Sequence, residues 1–427
     1  MVKMAPDSFH LLTLYSDKLH SVIDWLAGYG TDPEGGITRL LYTRPWLQAQ
    51  QALAAKMQQF GLEASFDPVG NLYGRLEGTN TDLKPVLTGS HIDTVKNAGK
   101  LDGAYGIVAG LLALAFLKSA YGTPKRTLEV VSLCEEEGSR FPLAYWGSGN
   151  VTGVMSLSDA EGKVDIDGVS LKDAMEAVGF GASSLAGCKR EDLEAYIELH
   201  IEQGAVLERM GKQIGVVTGI VGQKRYTIRL EGTANHAGTT PMKWRYDALV
   251  GAAEMAVLVE SMALQEGEPL VATVGRFEVK PGTPNVVPGE VDMTLDVRHT
   301  DEEKMNTFSA DALARMKQIA EKRGLCITIQ ERLHVPPVGM NEGIMKGIEA
   351  VCESYELASM RIASGAGHDA QLFAECCKAA MIFVPSRSGI SHNPQEYTAP
   401  EDLEAGFQTL VHLLYEYGYG GKADESL

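Results

Sequence analysis

The feature that most constrains this chain is a set of strand-length apolar runs, each stopping abruptly at polar, chemistry-bearing residues. VLTGSHID starts at Val86 and carries His91 and Asp93, LEVVSLC (128–134) runs into Glu135, Glu136 and Glu137, and AAMIFV (379–384) precedes a loop with His392. A continuous apolar run bounded by Gly or Pro suits a strand buried on both faces, as in a parallel sheet. A long apolar helical segment, 104–119, separates the first two runs. Strands alternating with helices predict an α/β fold, and polar residues at strand ends mark where such folds build sites.

The stretch VLTGSHIDTVKNAGKLDG (86–103) holds an imidazole and two carboxylates. These donor types suit zinc or manganese. His91 is a candidate ligand. Asp93, two residues on, would hydrogen-bond the far ring nitrogen and fix the tautomer. Asp102 would reach back from a Gly-containing loop and could bridge two ions. A strand-end histidine satisfied by the fold, with two loop carboxylates, accounts for this stretch equally well. In EEEGSRF (135–141) three adjacent carboxylates repel one another, and a bound dication would relieve them. The reading favoured here makes Glu137 a ligand and Glu136 a general base with its pKa tuned by burial and neighbours. YIELHIEQG (196–204) reads as an alternating strand and adds His200.

Amphipathic helices are expected over 8–30 and 46–60, with a hairpin-like pair over 62–76. Near residue 216 the pattern changes to alternating strands at 214–220, 224–231, 270–277, 290–298 and 327–333, with helices at 245–264 and 307–323. This predicts a smaller α+β domain, 217–335, interrupting an α/β catalytic domain made of 1–216 and 336–427. The inserted part exposes His236, Asn285 and Arg298, which spacing alone reads as ordinary surface residues. SGAGHDA (364–370) lacks a P-loop lysine, so a nucleotide reading is weak.

A net charge of −18 over 427 residues argues against nucleic acid or anionic membranes as partners. The six cysteines form no CxxC pair, which suits reduced thiols in a cytoplasm. The N-terminus lacks a leader pattern, and the most apolar window, 107–117, is too short to span a bilayer. Taken together, His91, Asp102, Glu137, His200 and His392 all fall at strand ends or adjacent loops of one α/β domain. They form a donor set for two ions about 3.5–4 Å apart.

GSHIDTV with LDG, EEEGSRF, ELHIEQG, NHAGTTPM, PNVVPG with DVRH, SGAGHDAQ and GISHNP occur in order across nearly the whole chain. In these motifs the sequence resembles the M20 metallopeptidase family, in its amidase/hydantoinase/carbamoylase branch. LCEEEGSRFPLAYWGSGN, IVGQKRYT and SRSGISHNPQEYTAPEDLE are most similar to the members acting on allantoate. The resemblance implies a catalytic domain with a mixed central sheet flanked by helices, interrupted by a dimerisation or lid domain. It implies two Mn2+ or Zn2+ ions held by His91, Asp102, Glu137, His200 and His392, with Asp102 bridging and Glu136 as base. His200 replaces the carboxylate common in aminopeptidase relatives and agrees with the amidohydrolase branch. The resemblance further implies a homodimer in which His236, from the partner subunit, polarises the scissile carbonyl. Arg298 and Asn285 would hold a substrate carboxylate, Asn285 also across the interface, with Gln203, Gln223 and Gly389 lining the pocket. The implied substrate is a small anionic ureide: allantoate, yielding ureidoglycine, ammonia and carbon dioxide. The alternative is an N-carbamoyl-L-amino acid or N-carbamoyl-β-alanine.

Overall fold

The computed structural model describes residues 6–181 and 187–420. Residues 1–5, part of the stretch expected to carry no leader, lie outside the described residues. The chain forms two compact units. The first comprises 1–218, 340–362 and 367–427, and the second 219–339 with 363–366.

The centre of the first unit is a mixed sheet. The strands Leu128–Leu133, Val86–His91, Ala195–Ile201 and Lys378–Val384 lie side by side and parallel. Leu72–Leu76 joins Leu128–Leu133 antiparallel, and Glu63–Phe66 pairs with Leu72–Leu76 as the expected hairpin. On the far side Ile214–Ile220 runs antiparallel to Lys378–Val384. Every residue of Val86–His91 and Leu128–Leu133 is buried, as their apolar runs require.

Ala195–Ile201 is the expected strand with alternating sequence, and all seven of its residues are buried. The polar members are satisfied internally: Ser90 Oγ donates to Glu198 Oε1 at 2.7 Å, and the Ala370 N–H donates to Oε2 at 3.1 Å. The alternation therefore records inward-facing chemistry.

The helix Ala104–Tyr121 is covered on all sides from Ala104 to Leu117. Helices Pro6–Ala27 and Pro400–Tyr419 pack on it. Each large apolar side chain so buried contributes about 1.5–3 kcal/mol. By length and composition Ala104–Tyr121 and Ala248–Glu266 could cross a membrane, but 78% of the first is buried within the fold, which makes it a core helix.

The second unit is an antiparallel sheet in the order Phe277–Lys280, Glu290–His299, Gly222–Glu231, Cys326–Val335, with Val271–Thr273 also against Glu290–His299. Burial alternates strictly along Glu290–His299, the mark of a sheet covered on one face. Val291, Met293, Leu295 and Val297 pack with Met255 and Phe308 of helices Ala248–Glu266 and Glu302–Arg323. The first helix starts at Ala248, later than the expected 245, because the Asp247 carboxylate caps Leu249 and Val250 N–H. The second is capped by Asp301 and closed by Gly324 in the left-handed conformation.

Candidate metal centre

The parallel register brings the chemistry to one edge. His91, at the end of its strand, lies opposite Leu133, so Glu135–Glu137 emerge beside it, and His200 lies opposite Phe383 in the strand before the His392 loop. Asp102 sits between these groups with its two oxygens divided. Oδ1 is 3.6 Å from His91 Nε2 and 3.2 Å from His200 Nε2, and Oδ2 is 3.2 Å from His392 Nε2. His392 Nε2 is also 3.1 Å from Glu137 Oε1. The donors thus fall into two groups sharing Asp102: His91, Asp102 and His200, and Asp102, Glu137 and His392, with ligand atoms in each within 4.8 Å of one another.

The donor set fits a divalent cation. His91 Nδ1 lies 3.1 Å from the Asp93 carbonyl and His200 Nδ1 2.8 Å from the Ile201 carbonyl. A carbonyl only accepts, so the ring protons sit on Nδ1 and both Nε2 atoms present lone pairs. For His200 this agrees with the Gly103 N–H, which donates to Nε2 at 3.2 Å. Two lone pairs therefore face Asp102 Oδ1, an atom sealed from solvent with no hydrogen-bond partner. A cation at that point reconciles all three. Protons compete for the place. Burial lowers both imidazole pKa values, but the negative charge of Asp102 and the nearby carboxylates outweighs it and raises them. The half-exposed His392 is pushed up to about 10 by Asp102 and then Glu137.

Asp93 departs from expectation. Its carboxylate is 3.9 Å from His91 Nδ1, too far for a hydrogen bond, and its carbonyl holds the tautomer instead. The carboxylate accepts the N–H groups of Glu136 and Glu137 at 3.2 Å each. It positions the loop that carries both residues. The three adjacent glutamates avoid one another by diverging. Glu135, at φ 52°, turns inward to accept the Arg140 and Phe141 N–H groups, while Glu137 turns to His392. Glu136 is left buried, and desolvation with the fields of Glu137, Asp369 and Asp93 raises its carboxyl well above the usual range.

Strain concentrates here. Among the described residues eight non-glycine residues have positive φ, and six of them, Asn97, Glu135, Tyr145, Gln203, Ser388 and His392, lie in the loops around Asp102. Gly103, at φ 64°, is required twice over, because a Cβ there would lie 2.6 Å from the His91 ring. Gln203 Nε2 donates to Asp102 Oδ2 at 3.1 Å, and Gly389 turns the His392 loop at φ 67°. His368 is buried with its ring edge-on to His200, 4.7 Å between centroids, so it packs beneath the ligands. Sequence reading missed Glu396, a buried carboxylate that accepts the Leu101 and Asp102 N–H groups.

In the second unit the remaining candidates form two pairs. His236 and Asn285 are exposed neighbours: the Ala237 N–H donates to the Asn285 carbonyl, and Val286 pairs with His236. His236 Nδ1 accepts the Gly238 and Thr239 N–H groups at 3.0 and 3.2 Å, which leaves Nε2–H as an outward donor. Arg298 Nε and Gln223 Nε2 both donate to Asp296, and Arg298 Nη1 donates to the Gly365 carbonyl at 2.7 Å.

A profile of the peptidase family M20/M25/M40 matches residues 87–416. The chain is 47% identical over 399 residues to an allantoate amidohydrolase of Bacillus subtilis (strain 168), covering 93% of this chain and 96% of that protein. It is 45% identical over 409 residues to an allantoate amidohydrolase of Escherichia coli (strain K12), covering 96% and 100%. Among solved structures it is similar to an amidase of the hydantoinase/carbamoylase family from Burkholderia multivorans, with TM-score 0.90 and 34% identity over 94% of this chain and 98% of that one. The matched span opens in the His91 strand and closes in the last helix, so it contains every side chain gathered on Asp102. The chain belongs to the peptidase family M20/M25/M40.

Proposed function

We propose that the chain hydrolyses the ureido group of allantoate to ureidoglycine, ammonia and carbon dioxide. One observation carries this reading. Five donors and Glu136 meet at one edge of a chain that matches two allantoate amidohydrolases over nearly its full length. His91 and His200 would hold one divalent ion with Asp102 Oδ1, and Glu137 and His392 a second with Oδ2, zinc and manganese both suiting the donors. Such ions supply an acidified water and stabilise developing negative charge.

The protein's own groups do the rest. Glu136 takes a proton from the attacking water and returns it to the leaving nitrogen. Burial makes its carboxyl a stronger base than an exposed glutamate, as both steps require. Asp93 holds Glu136 and Glu137 in place through their N–H groups. We assign the inserted unit to dimerisation and substrate holding, in a cytoplasmic homodimer. There the outward Nε2–H of His236, from the partner subunit, polarises the scissile carbonyl. We carry Arg298, whose planar fork suits the substrate carboxylate, with Asn285 and Gln223 of the second unit and Gln203 and Gly389 of the first, as candidate substrate-binding residues.

The test is ammonia release by the purified, metal-loaded protein on allantoate, N-carbamoyl-alanine and N-carbamoyl-β-alanine. Allantoate is expected to be turned over with the highest kcat/KM. No turnover of allantoate, or a preference for either N-carbamoyl compound, ends the proposal.

A further inference from the structure

We infer that Glu396 is a positioning residue of the metal centre, one buried side chain that sets the spacing between Asp102 and His392. This role presupposes the two-ion centre proposed above. Glu396 Oε1 accepts the main-chain N–H of Leu101 at 2.8 Å and of Asp102 at 3.1 Å, and Oε2 accepts Ser391 Oγ–H at 3.0 Å. Gln203 Nε2 donates to Ser391 Oγ at 3.2 Å and to Asp102 Oδ2 at 3.1 Å. The bonds close a ring through Glu396, Asp102, Gln203 and Ser391, joining three loops far apart in sequence.

His392 follows Ser391 directly, so the ring sets where its imidazole stands relative to Asp102 Oδ2. Both His392 and Gln203 sit at left-handed φ, 54° and 57°. Side chains hold such conformations only where the surroundings over-determine them, and the ring does so here. Gly99 fixes Glu396 from the other side. A methyl added at Gly99 would lie 2.5 Å from Glu396 Cδ, so the loop backbone lies flat against that side chain.

Both ligand groups share Asp102, so the ring reaches each of them there. Only the group with His392 meets it again, through Gln203 on Asp102 Oδ2 and through Ser391 beside His392, whereas His91 and His200 stand on sheet strands. Loosening Glu396 should therefore weaken the ion at Oδ2 much more than the other.

The experiment measures manganese and zinc content of the dialysed protein, with stepwise affinities by chelator competition. The parent is expected to bind two ions per chain. E396A should keep one near parental affinity and bind the second about 10–100-fold more weakly, the usual range for a lost outer partner. E396Q should fall between, since its amide oxygen keeps both N–H bonds but its NH2 faces Ser391. G99A, which displaces Glu396 without removing it, should weaken the same ion. If E396A does not fold, E396Q and G99A decide the matter. Parental affinity for both ions in the variants overturns the assignment and leaves the two-ion centre standing. Equal weakening of both ions also overturns it, by making Glu396 a general packing residue. A parent that binds fewer than two ions overturns the centre and this role together.

Discussion

Replacing Glu136 with Gln separates proton transfer from everything else the residue does. Gln keeps the volume and the main-chain N–H that donates to Asp93 Oδ1 at 3.2 Å. The five candidate ligands, His91, Asp102, Glu137, His200 and His392, are untouched. Only the capacity to accept and return a proton disappears. A positioned base contributes about 10²–10⁴-fold, so kcat on allantoate should fall by that factor. At about 1.36 kcal/mol per decade this is roughly 2.7–5.4 kcal/mol of barrier. KM and metal content should hold.

Stability should move the opposite way. Glu136 is 8% exposed, and its carboxyl pKa is raised by burial and then by Glu137, Asp369 and Asp93. The unfolded value is about 4.3. Below that pH both states are protonated and the burial penalty is absent. It grows as pH climbs towards the raised folded value and is complete above it. An uncharged Gln escapes the penalty, so metal-free E136Q should melt above the metal-free parent near neutral pH, with the gap closing as pH falls to about 4. Ammonia release, metal analysis and calorimetry check the three parts. Activity within tenfold of the parent would remove Glu136 as the base, and loss of metal along with activity would make it a ligand.

Three further outcomes are expected. G103A forces a left-handed alanine against the His91 ring, at about 1–2 kcal/mol for the backbone and about 1–3 for overpacking. Its melting temperature and metal content should both fall, and an unchanged melt would refute that packing. His392, held at about 10 in the metal-free protein, must lose its proton to bind metal. Affinity should thus fall about tenfold for each pH unit below that value, with proton release visible in titrations across buffers of different ionisation enthalpy; pH-independent affinity would exclude His392 as a ligand. R298K keeps the charge and loses the planar fork, so KM for allantoate should rise about 10–150-fold, the equivalent of about 1.5–3 kcal/mol, with kcat largely kept. An unchanged KM would place the substrate carboxylate elsewhere.

Much of the centre was legible in the sequence because strand-end chemistry is local. An apolar run stopping at His91, and another stopping at Glu135, already place both groups at the edge of a parallel sheet. What escaped depends on distance or on main chain. Glu396 meets Asp102 across 294 residues, and no periodicity marks such a pair. Asp93 was assigned its task through the wrong atom, since a sequence cannot say whether carboxylate or carbonyl faces a ring two residues away. The burial of Glu198 also escaped, because a polar residue satisfied by Ser90 and Ala370 is indistinguishable in sequence from one satisfied by water.

The strand Lys378–Val384 lies between Ala195–Ile201 and Ile214–Ile220, although it follows both by more than 150 residues. A chain emerging from the ribosome therefore carries an open slot in its main sheet until nearly all of it has been made. Two bare strand edges flank that slot, the kind of surface that recruits foreign strands. The His392 loop trails the filling strand, so capture of the full complement of metal waits on the same event, and a prematurely terminated product is left both sticky and inert.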